Sequence, residues 1–243
     1  MQLTDHVILI TGAGGGLGGT AALALAKQGA HIILLDKIIP KIEQVYDRIV
    51  AAGGVEPTLY PFDLAGANEQ QYQELADTLE TQYGSLQGLL HSANDLSAFS
   101  PVETIRPHEW AQTLSVNLNA PFLLTQKLLP LLKKSAQASI VFTSDDSIQS
   151  YPAYKGAYGV SKLALEGFAK TLAAELESRN QVRVNILYPG LVDSPMRKKV
   201  YPAENKSRLA PMNSLDRLYV YLFSNQSLGM TGQTFSAQTF NPS

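Results

Sequence analysis

The 243-residue sequence contains no cysteine. Disulfides, thiolate metal sites and thiol nucleophiles are therefore excluded, and the composition suits a reducing compartment. Charge of one sign is also lacking: 19 Lys plus Arg stand against 21 Asp plus Glu, a formal net charge of -2. Such a balance sets up no field to draw nucleic acid or an anionic membrane, and Arg197-Lys198-Lys199 is a local cluster rather than a basic stripe. Long hydrophobic runs are missing too. Stretches such as PFLLTQKLLPLL are broken by Gln126, Lys127 and Pro130 short of the roughly 20 residues of a membrane span. The opening MQLTDHVILITGAGG lacks a basic segment, and Val7 to Ile10 is too short for a secretory signal. These absences predict a cytoplasmic protein whose partners are small molecules or further subunits, with neither membrane nor nucleic acid among them.

What the chain does have is 45% hydrophobic residues, enough for one large core. They fall in short branched runs that alternate with segments of helical period. HVILI (6–10) precedes a helix over 17–28, HIILLD (31–36) one over 40–52, and EPTLYPFD (56–63) one over 68–83. SLQGLLHSA (85–93) precedes a long helix over 107–134, ASIVFTS one over 155–178, and VRVNILYP (182–189) and a short strand at 234–237 complete the series. Such alternation predicts an α/β fold, a doubly wound parallel sheet of Rossmann type with helices on both faces. No repeat or composition break divides the chain, so one domain is expected over residues 1–243. The least regular stretch, 190–214, reads as a substrate lid.

In HVILITGAGGGLGGTAALALA, glycines stand directly between a strand and a helix. Gly tolerates positive φ and lets backbone amides approach an anion, while the start of the following helix favours a pyrophosphate. Two registers fit, Gly14-x-Gly16-x-x-Gly19 and the wider Gly12-x-x-x-Gly16-x-Gly18. Asp36 ends the second strand, 18 residues past Gly18, where an adenosine ribose would lie. A carboxylate there accepts from both ribose hydroxyls and repels a 2′-phosphate, which favours NAD. Lys37 beside it offers that phosphate an ammonium, so NADP is not excluded.

Within GAYGVSKLALEGFAKTLAAELES, Tyr158 and Lys162 stand four apart on one helix face. A phenol, with a pKa of about 10, exchanges protons poorly at neutral pH, and a neighbouring ammonium lowers that value. The pair suits general acid–base work on a hydroxyl or carbonyl.

Taken together and in this order, these motifs resemble the short-chain dehydrogenase/reductase family over nearly the whole chain. Thr11-Gly12-Ala13-Gly14-Gly15-Gly16-Leu17-Gly18 matches that family's T-G-x-x-x-G-x-G and selects the wider register. Asp63-Leu64 matches the acid that meets adenine, and Ser92-Ala93 falls in the family's N-N-A-G. Asn117, in SVNLNAPF, matches the helix asparagine that holds a relay water. Tyr158 and Lys162 match Y-x-x-x-K, and Pro189-Gly190, with Val192, Ser194 and Met196, matches the segment at the nicotinamide end. Within the family, VFTSDDS, HSAN and TGQTFSAQ are closest in appearance to a bacterial branch of YciK-type oxidoreductases. The resemblance implies hydride transfer between nicotinamide and an alcohol or carbonyl substrate. It implies that Tyr158 passes the proton, that Lys162 lowers its pKa and holds the nicotinamide ribose, and that Asn117 positions a water. It also implies a homodimer or homotetramer through the helices over 107–134 and 155–178.

Two departures stand out. N-N-A-G is replaced by His91-Ser92-Ala93-Asn94. Here Asn94 is expected to tolerate left-handed backbone, and His91 to contact the core or a neighbouring helix. The serine that polarises the substrate oxygen in the family lies 13 positions before the tyrosine, which is Asp145 here. Ser144, one position off, would be aimed elsewhere unless the strand bulges; Ser147 lies two positions the other way. An ionised Asp145 cannot donate a hydrogen bond. At about 4 Å it would oppose a tyrosinate by on the order of 1 to 4 kcal/mol, raising the phenol pKa. Three readings follow: Asp145 is protonated beside Asp146 and donates; it binds the hydroxyl or amine of a polar or cationic substrate; or the chain holds a nucleotide without turnover. Adjacent acids on a strand end diverge, so neither a metal site nor a glycosidase pair is expected.

Overall fold

Each short apolar run forms a strand, and each amphipathic segment between them a helix, in a computed structural model that describes residues 1–96, 99–177 and 181–241. The order is β1 (Val7–Thr11), α1 (Gly16–Ala26), β2 (His31–Asp36), α2 (Ile39–Ala51), β3 (Thr58–Pro61), α3 (Glu69–Tyr83) and β4 (Gly88–His91). Then come α4 (Pro107–Leu114), α5 (Ala120–Lys134), β5 (Ala138–Thr143), α6 (Gly156–Leu176), β6 (Val182–Tyr188), α7 (Pro195–Val200), α8 (Asp216–Phe223) and β7 (Thr234–Ser236). Residue 178, the expected end of α6, lies outside the described residues. The strands form one sheet in the order β3-β2-β1-β4-β5-β6-β7, every pair parallel. The chain winds outward from β1 to β3, then crosses back to β4, so the connections leave β1 and β4 in opposite directions and open a crevice at their carboxyl ends.

The strands are apolar on both faces because both faces are covered. Leu9, Ile33, Leu89 and Phe142 pack with α3, α5 and α6 on one side. Ile8, Ile10, Leu34 and Val141 pack with α1, α2 and α8 on the other. Local chemistry fixes the ends of these elements: Asn68 and Gln71 bond reciprocally, side chain to backbone at 3.0 Å each way, and start α3.

Two features depart from expectation. The helix predicted over 107–134 is interrupted by a π-helical turn at Ser115–Asn119, a type of bulge that often marks a functional site. The helix α8 was not expected from the sequence; its Leu218, Tyr219, Leu222 and Phe223 are buried against α1 and β5, where Ser139 Oγ donates to Leu222 O at 2.7 Å. His91 behaves as a strand residue, as expected. Its Nε2 lies 2.9 Å from Thr125 Oγ1 on α5, and its ring stacks on Phe142 at 4.7 Å. Among the described non-glycine residues only Asp5, Tyr151 and Tyr154 take left-handed backbone, so the tolerance expected of Asn94 is not called upon.

Burial, with a smaller contribution from the Lys162 charge, pushes the His91 pKa down to about 3. The folded state therefore binds fewer protons than the unfolded chain once pH drops below the ordinary histidine value of about 6.5. Stability from neutral His91 is present above that value. It is expected to fall by about 1.4 kcal/mol per pH unit between about 6.5 and 3. Urea unfolding across this range checks it: a His91→Gln slope as steep as that of the native chain refutes the assignment.

Candidate active site

The crevice at the switch point is closed at its floor by backbone alone. Gly12 has φ of 65°, and a β-carbon there would stand 2.6 Å from Ala93 Cα; one at Gly18 would stand 2.3 Å from Gly12 O. No side chain fits, so the turn presents its amides to whatever lies above. Thr11 ties this turn to the end of β4, its Oγ1 accepting from the amides of Ser92 and Ala93 at 3.1 Å each. Asp36 braces the turn from β2, accepting from Gly14 N at 3.1 Å and Ile38 N at 3.0 Å.

Above the turn lies a cavity of about 540 Å³. Gly12, Gly16, Leu17 and Gly18 line one wall, with Asp36, Lys37, Asp63 and Leu64 at one end. Ser92 and Ala93, and beyond them Pro189, Gly190, Val192 and Ser194, complete it, and Asp145, Tyr158 and Lys162 close the other end. Of the predicted site residues only Gly14 and Asn117 do not line it. Gly14 acts through Asp36. Asn117, fully buried in the π turn, is a bracket: its Oδ1 accepts from Asp95 N at 2.7 Å, and its Nδ2 donates to Asp95 O at 2.8 Å and Ser161 Oγ at 3.0 Å. It thereby couples the loop after β4 to α6, beside Tyr158 and Lys162.

On α6, Lys162 donates to Thr143 O at 3.0 Å, and its ammonium stands 5.9 Å from the Tyr158 ring centre. Burial pushes Lys162 down to about 8, against the opposing charges of Asp145 and Glu166. The Tyr158 hydroxyl donates to Asp145 Oδ2 at 3.0 Å. Burial, the Asp145 charge and that hydrogen bond together raise the phenol well above its ordinary value. The expected lowering by Lys162 is thus not what this geometry produces.

The strand end explains Asp145. β5 does not bulge: Ser144 N continues the ladder to Leu187 O at 2.9 Å, and the Ser144 hydroxyl points to Glu166 Oε1 at 2.6 Å. Asp145 therefore faces Tyr158 and also begins a short turn over Asp146–Ile148, its Oδ1 accepting from Ser147 N at 2.9 Å and Ser147 Oγ at 2.5 Å. Every polar neighbour donates to it, and Lys155 Nζ lies 3.8 Å from Oδ2. Burial raises the Asp145 pKa, but the Ser147 bonds, the Lys155 charge and the Tyr158 hydroxyl outweigh it and hold the carboxyl below its ordinary value. Asp146 is exposed, so the reading of a carboxylic acid protonated by a buried neighbouring acid is not met.

Residues 6–205 match the family model for short chain dehydrogenases. The chain belongs to the short-chain dehydrogenase family. It is 39% identical over 236 residues to the Escherichia coli K12 protein described as uncharacterized oxidoreductase YciK, covering 97% of this chain and 93% of that one. Two solved structures are similar at 38% identity and a TM-score of 0.93, each covering 98% of both chains. One is a Shigella flexneri 2a chain described as a short chain dehydrogenase and complexed with NADP; the other is its counterpart from Escherichia coli CFT073, complexed with NADPH.

The dinucleotide that the short-chain dehydrogenase family implies fits this crevice. The glycine turn leaves backbone exposed where a diphosphate would rest. Ser92 Oγ and Thr143 Oγ1, both in residues lining the cavity, are buried without a hydrogen-bond partner among the described residues. Sequence reasoning missed Lys41 at the Asp36 end, Asn94 and Arg197 on the walls, and Lys155 behind Asp145. Of these only Asn94 had a signal, its place in His91-Ser92-Ala93-Asn94; Lys41, Arg197 and Lys155 belong to no motif. Among the described residues no cluster of His, Asp and Glu could hold a metal ion, and no helix is long and apolar enough to cross a membrane.

Replacing Asp145 by Asn removes the charge that opposes tyrosinate formation, so Tyr158 is expected to ionise at lower pH than in the native chain. Titration of ¹³Cζ-labelled tyrosine by NMR measures this directly. An unchanged or higher Tyr158 pKa in Asp145→Asn contradicts the electrostatic assignment.

Proposed function

We propose that this chain is an NAD(P)-dependent oxidoreductase that interconverts an alcohol and a carbonyl, with Tyr158 as general acid and base. The observation that carries this reading is that Tyr158 and Lys162, one turn apart on α6, open onto the same cavity as the glycine turn. When bound, the nicotinamide supplies the hydride chemistry, and the protein supplies binding, orientation and the proton. Gly12, Gly16 and Gly18 offer amides to the diphosphate; Asp36 and Lys37 meet the adenosine ribose, and Asp63 and Leu64 the adenine. Pro189, Gly190, Val192 and Ser194 flank the nicotinamide end. Lys162 holds the nicotinamide ribose, Tyr158 moves the proton at its hydroxyl oxygen, and Asn117 positions the helix that carries both.

For the cofactor the reading is NAD, with NADP admitted. Asp36 opposes a 2′-phosphate, yet both its oxygens already accept backbone amides, Lys37 and Lys41 share its wall, and the two relatives above hold NADP and NADPH. Residues 190–214, which include α7 and place Pro195 and Met212 against Gly16, act as the lid of the one domain. Association as a homodimer or homotetramer is supported by Phe122 of α5 and Val160 of α6, both exposed. The reaction belongs to the cytoplasm.

A second reading, nucleotide binding with little turnover, is favoured by one observation: an ionised carboxylate accepts the Tyr158 proton where the family places a serine donor. Fluorescence titration with NADH and NADPH, followed by a screen of alcohols and carbonyls, separates the two. The oxidoreductase reading expects saturable nucleotide binding, and turnover that Tyr158→Phe reduces by roughly 10²–10⁴-fold while nucleotide still binds. Absence of any nucleotide binding defeats both readings. Binding without turnover, unrepaired by Asp145→Ser, supports the second.

A further inference from the structure

The two oxygens of Asp145 are not equivalent. Oδ1 is taken up by the Ser147 amide and hydroxyl. Among the described residues Oδ2 accepts only from Tyr158, at 3.0 Å; a carboxylate oxygen has two lone pairs, so one acceptor position remains, on a residue that lines the cavity. The Lys155 ammonium lies 3.8 Å from that same Oδ2 and also donates to Ser147 Oγ. Lys155 is 8% exposed, with the Phe99 ring centre 5.4 Å from its ammonium. The loop that delivers it is strained: Tyr151 and Tyr154 have φ of 51° and 69°. Bulky residues seldom adopt this backbone, and it persists where surrounding contacts over-determine it. Those contacts include Ser100 N on Tyr154 O at 3.1 Å and the bonds of Lys155 itself.

We propose that Lys155 is a positioning residue that cancels the charge of Asp145 in place, so that the cavity takes a neutral vicinal diol in preference to a cationic amino alcohol. The inference rests on the alcohol–carbonyl reading above. Tyr158 and Asp145 together offer one donor and one acceptor a hydrogen-bond length apart, and the gauche oxygens of a vicinal diol are separated by about the same length. Tyr158 has a single proton, so in the complex it turns from Oδ2 to the reacting oxygen, and the neighbouring hydroxyl takes its place as donor to Oδ2. A simple ketone has nothing to donate there. An ammonium in place of the second hydroxyl meets Asp145 but also Lys155 and Lys162 of the α6 segment; Arg197 of α7 is itself paired with Glu204 at 2.6 Å, and Asp146, Glu166 and Tyr201 are the other titratable groups around the site. With Asp145 paired by Lys155 and Arg197 by Glu204, no net negative charge remains at Oδ2 to offset the cost of desolvating an ammonium.

The test compares two probes of one shape, trans-cyclohexane-1,2-diol and trans-2-aminocyclohexanol, near neutral pH with nucleotide-loaded protein. The quantity read is the ratio of their kcat/KM values and, independently of turnover, the ratio of their dissociation constants by ligand-observed NMR. Lys155→Met keeps the stem against Phe99 and removes the charge; Lys155→Arg keeps the charge. The native chain and Lys155→Arg are expected to favour the diol by about tenfold or more, about 1.4 kcal/mol. Lys155→Met is expected to lose that preference through gain on the ammonium probe. Asp145→Asn, which leaves Lys155 uncompensated, is expected to move the ratio the opposite way and serves where Lys155→Met does not fold. A merely structural lysine moves both probes equally. Equal ratios in the native chain and Lys155→Met, or Lys155→Arg behaving as Lys155→Met, overturn the proposal. Absence of turnover of these probes and across the screen of alcohols and carbonyls above, with the binding ratios as expected, refutes the oxidoreductase reading and leaves the pocket assignment standing.

Discussion

At Gly12 the end of β1 lies so close to Ala93 that not even a β-carbon fits between them, and the rest of the site depends on that closeness. The parallel register that pairs Thr11 with His91 brings the two strand ends level, and the Thr11 hydroxyl then draws in the amides of Ser92 and Ala93. The chain leaving β4 is thereby turned across the crevice, where Asp95 meets Asn117 through two backbone bonds. Asn117 in turn holds Ser161, which sits between Tyr158 and Lys162 on α6. One unbroken series of short contacts thus runs from the glycine turn to the acid–base pair, and it fixes their separation without any ligand.

That series also gives the π-helical turn a reason. An uninterrupted helix over 107–134 would present Asn117 at the angle set by its neighbours' packing against the sheet. The extra residue of a π turn rotates the helix face locally, which lets Asn117 be fully buried and aimed at Asp95 while Leu124, Leu128 and Leu131 of α5 still face the core. A buried asparagine is tolerated because both its oxygen and its nitrogen are paired.

Most of the fold was legible because a buried parallel sheet leaves a plain trace: apolar branched runs of strand length, each followed by a helical period. The helix α8 escaped because its eight residues, DRLYVYLF, include an unbroken apolar run that does not separate helix from strand, and because tertiary packing against α1 and β5 rather than propensity holds it. The glycine turn, Asp36 and the Tyr158–Lys162 pair were legible because each needs a residue type at a set spacing. The direction of the Tyr158 shift was not, since it depends on whether Lys162 or Asp145 lies nearer the hydroxyl, a distance no spacing rule provides. The Ser144 offset was legible in period alone: alternate strand residues face opposite sides, and Ser144 meets Glu166 while Asp145 meets Tyr158.

Lys155 was invisible for a related reason. Charges in a poorly solvated site are tolerable only when compensated, and breaking a buried pair costs more than the pair contributes. Asp145, Lys155, Lys162 and Glu166 surround Tyr158 and Ser144 with two formal charges of each sign, and Lys155, Lys162 and Glu166 are buried. Reading Asp145 by itself, as a serine lost from a motif, leaves an odd negative charge beside a tyrosine. Ten residues later in the sequence the compensating ammonium arrives through a strained loop that has no motif of its own. Asp145 and Lys155 form a single electrostatic unit, so the site presents an acceptor beside Tyr158 whose charge is compensated within the chain.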